Sequence, residues 1–214
     1  MSANYTQHPM NPQGAVGASL ARRRPGSAIL ILARTFSSVP PSHEGNVPAM
    51  PLDATNRSLT PDVLPVVEEL ERLATRPEVL AVLRRAQGEA VTQLQRDSAL
   101  AAAFVPLNLI ELGAAIPAGV GSIRVVASRD SSATIERHAN STQYLLVLDG
   151  SVQTHVLTED GWRVDRYGYD DATRLESRWH VVPPGVWHRT VAPGAHEWCV
   201  VAFHSAREVS DEYQ

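Results

Sequence analysis

From Val105 onward the chain is a succession of short runs rich in β-branched and aromatic residues, each ended by a turn signal. The runs are residues 107–112, 122–128, 134–138, 144–148, 152–158, 162–167, 178–182, 188–191 and 197–204. Pro117-Ala118-Gly119, Asp149-Gly150, Asp160-Gly161, Pro184-Gly185 and Pro193-Gly194 separate many of them, and such combinations mark tight turns. Many short strands at even spacing predict a sandwich or barrel. A barrel of this size encloses room for one small ligand.

Within this region, polar residues suited to metal ligation recur at strand spacing. Glu136 and His138 are two apart in Ala133-Thr134-Ile135-Glu136-Arg137-His138, so both side chains leave the strand on one face. Gln143 opens the next run, Tyr144-Leu145-Leu146-Val147-Leu148, which the pair Asp149-Gly150 closes. His188 arrives from a third segment, just after Pro183-Pro184-Gly185-Val186-Trp187. Two imidazoles, one carboxylate and one amide oxygen would then converge on one point, a ligand set that suits a divalent transition metal.

This spacing resembles the cupin superfamily, over roughly residues 107–204. The first cupin motif runs from a glycine through two histidines one residue apart to an acidic residue and a second glycine. His138 takes the second histidine position, four residues lead to Gln143 at the acidic position, and six more lead to Gly150. Pro183, Gly185 and His188 match the second motif. Departures occur at Glu136, which stands at the first histidine position, and at Asp130, Ser177 and Ala192, which replace two glycines and the closing asparagine. The resemblance implies a mainly β fold with a cupin-type jelly-roll β-barrel; the chain's own pattern, taken up below, places two α-helices and a disordered N-terminal tail before it. It also implies one divalent metal at Glu136, His138, Gln143 and His188, and a homodimer, since cupins often pair through barrel faces or N-terminal extensions.

Two of these residues keep two readings each. Glu136 is either a ligand or a general base beside the ion. Gln143 either coordinates through its amide oxygen or hydrogen-bonds a bound water. Tyr144, Trp187 and His204 are candidates to line a substrate pocket, with Trp179 and Trp198 as further aromatic surface. Packing accounts equally for at least two of those aromatics, and a surface position accounts for His204. His155, His180 and His196 carry weaker ligand signals, and Asp165 and Asp170-Asp171 read as solvated loop charges.

Glu136, His138 and His188 resemble a facial triad of two histidines and one carboxylate, which suits Fe(II) with open positions. A neutral Gln143 leaves the ion more positive, so it polarises a bound oxygen more strongly. The leading expectation is therefore an Fe(II)-dependent dioxygenase or oxygenase acting on a small polar molecule. The runner-up is a redox-neutral lyase, isomerase or hydrolase on a small acid or sugar derivative, with Mn, Ni, Zn or Fe as Lewis acid. A non-catalytic cupin that binds a small molecule or a metal is the third reading, favoured by the replaced glycines and first histidine.

Two helices are expected upstream of the strands. Thr60-Pro61-Asp62 offers a cap and a first-turn proline to Val63, Val66, Val67, Leu70 and Leu73. Thr75-Arg76-Pro77-Glu78 reads as a capping box that launches Val79, Leu80, Leu83, Ala86, Ala90, Val91 and Leu94 toward Phe104, with Gly88 as a weak point. Residues 1–28 and 37–58 are rich in Pro, Ser, Asn, Gly and Ala without helical or strand period, which predicts disorder. Arg22-Arg23-Arg24 and the apolar residues 27–33 have the outline of a secretion signal, but Arg34 ends so short a run that an extended tail or one short strand is expected. Met50 is an alternative start. The resulting divisions are a tail at 1–58, a helical extension at 59–104 and a barrel at 105–208.

The net charge of −4 argues against a nucleic-acid partner. A single cysteine, Cys199, excludes an internal disulfide framework and fits the cytoplasm. No apolar run approaches the ~18 residues that cross a membrane.

Overall fold

The computed structural model describes residues 58–113, 115–129, 134–169, 174–192 and 197–214. The expected tail up to residue 57 lies outside the described residues, as do Asp130, Asp170-Asp171, Pro193-Gly194 and His196. In chain order the elements are α1 (Leu64–Ala74), α2 (Pro77–Arg96), β1 (Ala102–Leu107), a 3-10 turn (Leu109–Leu112), β2 (Ser122–Ser128) and β3 (Glu136–His138). They continue with β4 (Gln143–Asp149), β5 (Ser151–Thr158), β6 (Gly161–Gly168), α3 (Leu175–Arg178), β7 (Trp179–Val182), β8 (His188–Val191), β9 (Trp198–His204) and β10 (Asp211–Tyr213).

Four antiparallel pairs are nested: β2 with β9, β3 with β8, β4 with β7 and β5 with β6. A chain paired this way is one long hairpin rolled over on itself, so successive pairs fall in opposite sheets. The first sheet has the order β1-β2-β9-β4-β7 and the second β10-β3-β8-β5-β6. This is the expected jelly roll. Its innermost hairpin is turned by Asp160-Gly161, where Gly161 has φ 108°, and the β4–β5 connection by Gly150 at φ 75°, values that glycine adopts without steric penalty.

Alternation along each strand sorts the side chains. On the first sheet, Tyr144, Leu146 and Leu148 of β4, Trp179 and Val181 of β7, and Cys199, Val201 and Phe203 of β9 share one buried cluster with Val67, Leu70, Val79, Leu83, Ala86, Ala90 and Leu94 of α1 and α2. The intervening Leu145, Val147, Val200 and Ala202 pack with Val152 and Tyr167 of the second sheet, and so line the barrel interior. Strand β4 is buried at every position but the last because helices cover one of its faces and the other sheet covers its inner one.

Several expected boundaries move. Helix α2 stops at Arg96 instead of reaching Phe104, and the barrel begins with β1 at Ala102 and ends with β10, past residue 208. The apolar stripes of the two helices pack on the outside of the barrel, where one apolar cluster joins them to the first sheet. Beyond Leu107, which ends β1, residues 108–112 are not a strand: Asn108 Oδ1 accepts a bond from Ile110 N at 3.1 Å and caps a 3-10 turn. Thr75 does not cap α2; its hydroxyl donates to the Glu71 carbonyl at 2.7 Å and closes α1. Helix α1 starts at Leu64, after a turn in which the Thr60 carbonyl accepts from Val63 and Leu64. Ser58, assigned to the tail, is buried, and its Oγ accepts from Val181 N at 3.0 Å. Among the described residues no helix is long and apolar enough to cross a membrane.

Candidate metal centre

Strand β3 is only three residues long, and Glu136 lies directly opposite His188 of β8. His138, two positions on, projects from the same face. Glu136 Oε1 is 3.6 Å from His188 Nε2 and 3.9 Å from His138 Nε2. All three donor atoms lie within 4.8 Å of one another. His138 and His188 are buried and Glu136 is partly exposed; Gln143, which opens β4 across from His204, is buried.

The second nitrogen of each imidazole is already engaged. His138 Nδ1 lies 2.7 Å from Asp211 Oδ1, and His188 Nδ1 lies 3.1 Å from the Val186 carbonyl. Both acceptors require an Nδ1–H, which leaves Nε2 as a bare lone pair in each ring. Those two Nε2 atoms and Gln143 Oε1 are buried without a hydrogen-bond partner. An orphaned buried acceptor costs about 1–3 kcal/mol, and a cation between the two Nε2 atoms and Glu136 Oε1 would relieve both imidazoles at once. Bonds of about 2.0–2.2 Å to a central ion allow two donors to stand up to about 4.4 Å apart, a limit that the Glu136–imidazole separations of 3.6 and 3.9 Å meet. The residues present therefore fit a divalent transition metal held by Glu136, His138 and His188.

His204 belongs to the same cluster. It is fully buried, its ring centroid is 4.8 Å from that of His138, and neither ring nitrogen has a partner. Burial, and then the charge of Arg124, push its pKa down to about 2, so the ring stays neutral. It lies in the barrel interior, not at the surface.

Two pocket candidates face elsewhere. Tyr144 follows Gln143, so it emerges on the opposite face of β4 and packs under the helices with Phe203 and Leu146. Trp187 precedes His188 and lies beneath the Arg137 guanidinium at 4.6 Å. Arg137 in turn lies between Glu136 and His138 and is on the outer face of the second sheet. Trp179 also serves the helix side, donating from Nε1 to Glu71 Oε2 at 2.7 Å, whereas Trp198 lines the interior.

Asp165 is not a solvated loop charge. It sits inside β6, nearly fully buried, 2.9 Å from His180 Nε2 and 2.9 Å from Arg163 Nη2. Burial raises the Asp165 carboxyl, but the bonds from His180 and Arg163 outweigh it and leave its pKa below the ordinary value. His180 stacks on Tyr167 at 5.2 Å, and its Nδ1 is buried without a partner. The strand registers pair Leu145 with His180 and Thr154 with Asp165, and Thr190 of β8 also pairs with Thr154. This polar layer thus lies two residues along the strands from Gln143 and His188. His155 faces outward, beside Arg189 at 3.3 Å. Asp211 was not signalled by the sequence motif at all; its short strand follows a polar stretch with little apolar pattern.

No family model matches the chain, and no curated protein matches it. Solved structures do match. The Lactobacillus farciminis oxalate decarboxylase formate complex aligns at 13% identity and TM-score 0.42, over 53% of this chain and 31% of that one. A recombinant oxalate oxidase in complex with glycolate aligns at 16% and 0.42, over 53% and 55%. Peruvianin-I, a cysteine peptidase from Thevetia peruviana latex, aligns at 14% and 0.42, over 53% and 67%. The match thus spans under a third of the decarboxylase, and at these identities the likeness bears on neither substrate nor reaction.

Proposed function

We propose that the chain is a metal-dependent enzyme acting on a small polar molecule, with Fe(II)-dependent oxygenase as its reaction class. The observation that carries this reading is the convergence of Glu136 Oε1 with two buried, unpartnered imidazole Nε2 atoms. Two histidines and one carboxylate hold an ion while leaving coordination positions open, the arrangement associated with non-haem Fe(II). When bound, the ion supplies Lewis acidity and, as iron, redox chemistry.

The protein residues divide the remaining tasks. Glu136 contributes the negative charge, and its 30% side-chain exposure makes it the donor that solvent and substrate reach first. His138 and His188 hold fixed tautomers through Asp211 and the Val186 carbonyl. Gln143 Oε1 and the neutral His204 offer hydrogen-bonding atoms to a ligand in the barrel. Apolar burial around them excludes water, which strengthens each electrostatic contact.

One observation favours a second reading. Gln143 adds no charge at the position an acidic ligand would occupy, so a redox-neutral lyase, isomerase or hydrolase with Mn, Ni or Zn as Lewis acid follows from the same donor set. Elemental analysis of the purified protein beside His138→Ala and His188→Ala separates the two. About one equivalent of iron, absent from both variants, with oxygen uptake on adding small polar acids, is the expected result. An equivalent of zinc, nickel or manganese with anaerobic turnover replaces the oxygenase by the second reading. No ion above the level of the variants, even after reconstitution, sinks both and leaves a non-catalytic binding barrel.

A further inference from the structure

Strand β3 carries two of the three converging donors yet pairs with β8 at one position only, Glu136 with His188. Its other edge is covered by β10, in the register Asp211 with His138, Glu212 with Arg137 and Tyr213 with Glu136. A three-residue strand with so little pairing has no independent stability, so β10 holds it in place. Ala139 N donates to the Ser210 carbonyl at 3.0 Å, Gln214 N to the Ile135 carbonyl at 3.0 Å, and Asn140 Nδ2 to the Glu208 carbonyl at 2.9 Å. Outside the barrel, Glu212 Oε2 pairs with Arg137 Nη2 at 2.6 Å. Inside it, Asp211 Oδ1 meets His138 Nδ1 at 2.7 Å while its Oδ2 lies 3.3 Å from Arg124 Nη1 on β2. The carboxylate is thus clamped between an arginine of one sheet and a histidine of the other.

We propose that Asp211 is the positioning residue of the metal centre, and that docking of the C-terminal strand and occupancy by the ion are thermodynamically coupled. The inference rests on the metal reading above. A carboxylate on the far nitrogen of a ligating imidazole fixes its tautomer and ring orientation and makes its lone pair more basic. Here that carboxylate arrives on a strand held chiefly by β3 itself. Coupling free energies are reciprocal: whatever factor the docked strand adds to ion affinity, the ion returns to strand docking.

The test uses the full chain with Zn(II) as the probe, its affinity read by competition with a chromogenic chelator. Asp211→Ala is expected to bind about 10–100-fold more weakly than wild type. Asp211→Asn falls between them, because its amide oxygen still accepts from Nδ1–H but carries no charge. Glu212→Gln, which cuts the outer ion pair without touching His138, stays within about twofold of wild type, the change expected for an exposed pair. Hydrogen exchange supplies a readout independent of activity: Zn(II) slows exchange at residues 209–214 in wild type and leaves it unchanged in Asp211→Ala. Equal Zn(II) affinity in wild type and Asp211→Ala overturns the inference and leaves the metal reading standing. Equal losses in Asp211→Ala and Glu212→Gln overturn the assignment of Asp211. Wild-type binding no tighter than that of a His138→Ala/His188→Ala double variant overturns the metal reading and this inference with it.

Discussion

At the scale of single residues, burial turns an ordinary-looking side chain into a determinant of pH behaviour. His180 is fully buried, and its pKa is lowered first by that burial, against the opposing bond to Asp165 and with His188 and Arg163 adding to the fall. An unfolded histidine takes up a proton near pH 6.5, which the folded His180 refuses until lower pH. The unfolded state therefore binds more protons below about 6.5, and stability present above that value is lost as pH falls toward the folded pKa, by at most about 1.4 kcal/mol per pH unit. Asp165, held below its ordinary value, acts in the same direction: its contribution is present above about pH 3.9 and is lost as pH falls through its folded pKa. Urea unfolding at pH 7.5, 6.5 and 5.5 checks the histidine term. The wild-type midpoint should fall more steeply than that of His180→Gln, and parallel slopes would refute it. Nothing in the local sequence marked this pair, because a lone Asp in Arg163-Val164-Asp165-Arg166 reads as one more surface charge until its partner strand is known.

At the scale of elements, two glycines make opposite demands. A Cβ at Gly88 in the middle of α2 would meet nothing within 4 Å. Gly88→Ala is expected to stabilise the protein by about 1 kcal/mol through helix propensity, a rise of roughly 2–4 °C in melting temperature for a chain of this size. Gly121 is different: a Cβ there would collide with the backbone of Ala206 and Arg207, so Gly121→Ala must lower the melting temperature. A drop for Gly88→Ala, or no change for Gly121→Ala, would contradict the packing described. The strands 122–128 and 188–191 were legible to the residue, because alternation and turn glycines are local properties. The apolar pattern of helix α2 runs on for eight residues past its end, from Arg96 to Phe104, since its apolar face merges into the apolar start of β1. The face that Tyr144 takes is not legible in β4, because a strand buried on both faces has no polar side to show which one turns inward.

At the scale of the whole molecule, the ion and the barrel should melt as one unit. A metal that binds only the folded state stabilises it by about 2.7 kcal/mol at a hundredfold excess over its dissociation constant, which for a chain of this size corresponds to a rise of roughly 5–10 °C. Calorimetry with and without Zn(II) should show that shift in wild type and none in His138→Ala or His188→Ala; equal shifts in all three would move the ion to another part of the chain. What the sequence determined by itself was the alternation, the turns and the spacing Glu136-x-His138, Gln143 and His188. Those are local, and they suffice for a jelly roll and for a candidate donor set. Only the tertiary structure decided that Asp211, 73 residues from His138, would meet its Nδ1, and that His204 and the Asp165–His180 pair would face inward. Strand order and the helices over the first sheet settle which face of each strand is inside, and both depend on pairings between distant segments that no short window of sequence contains.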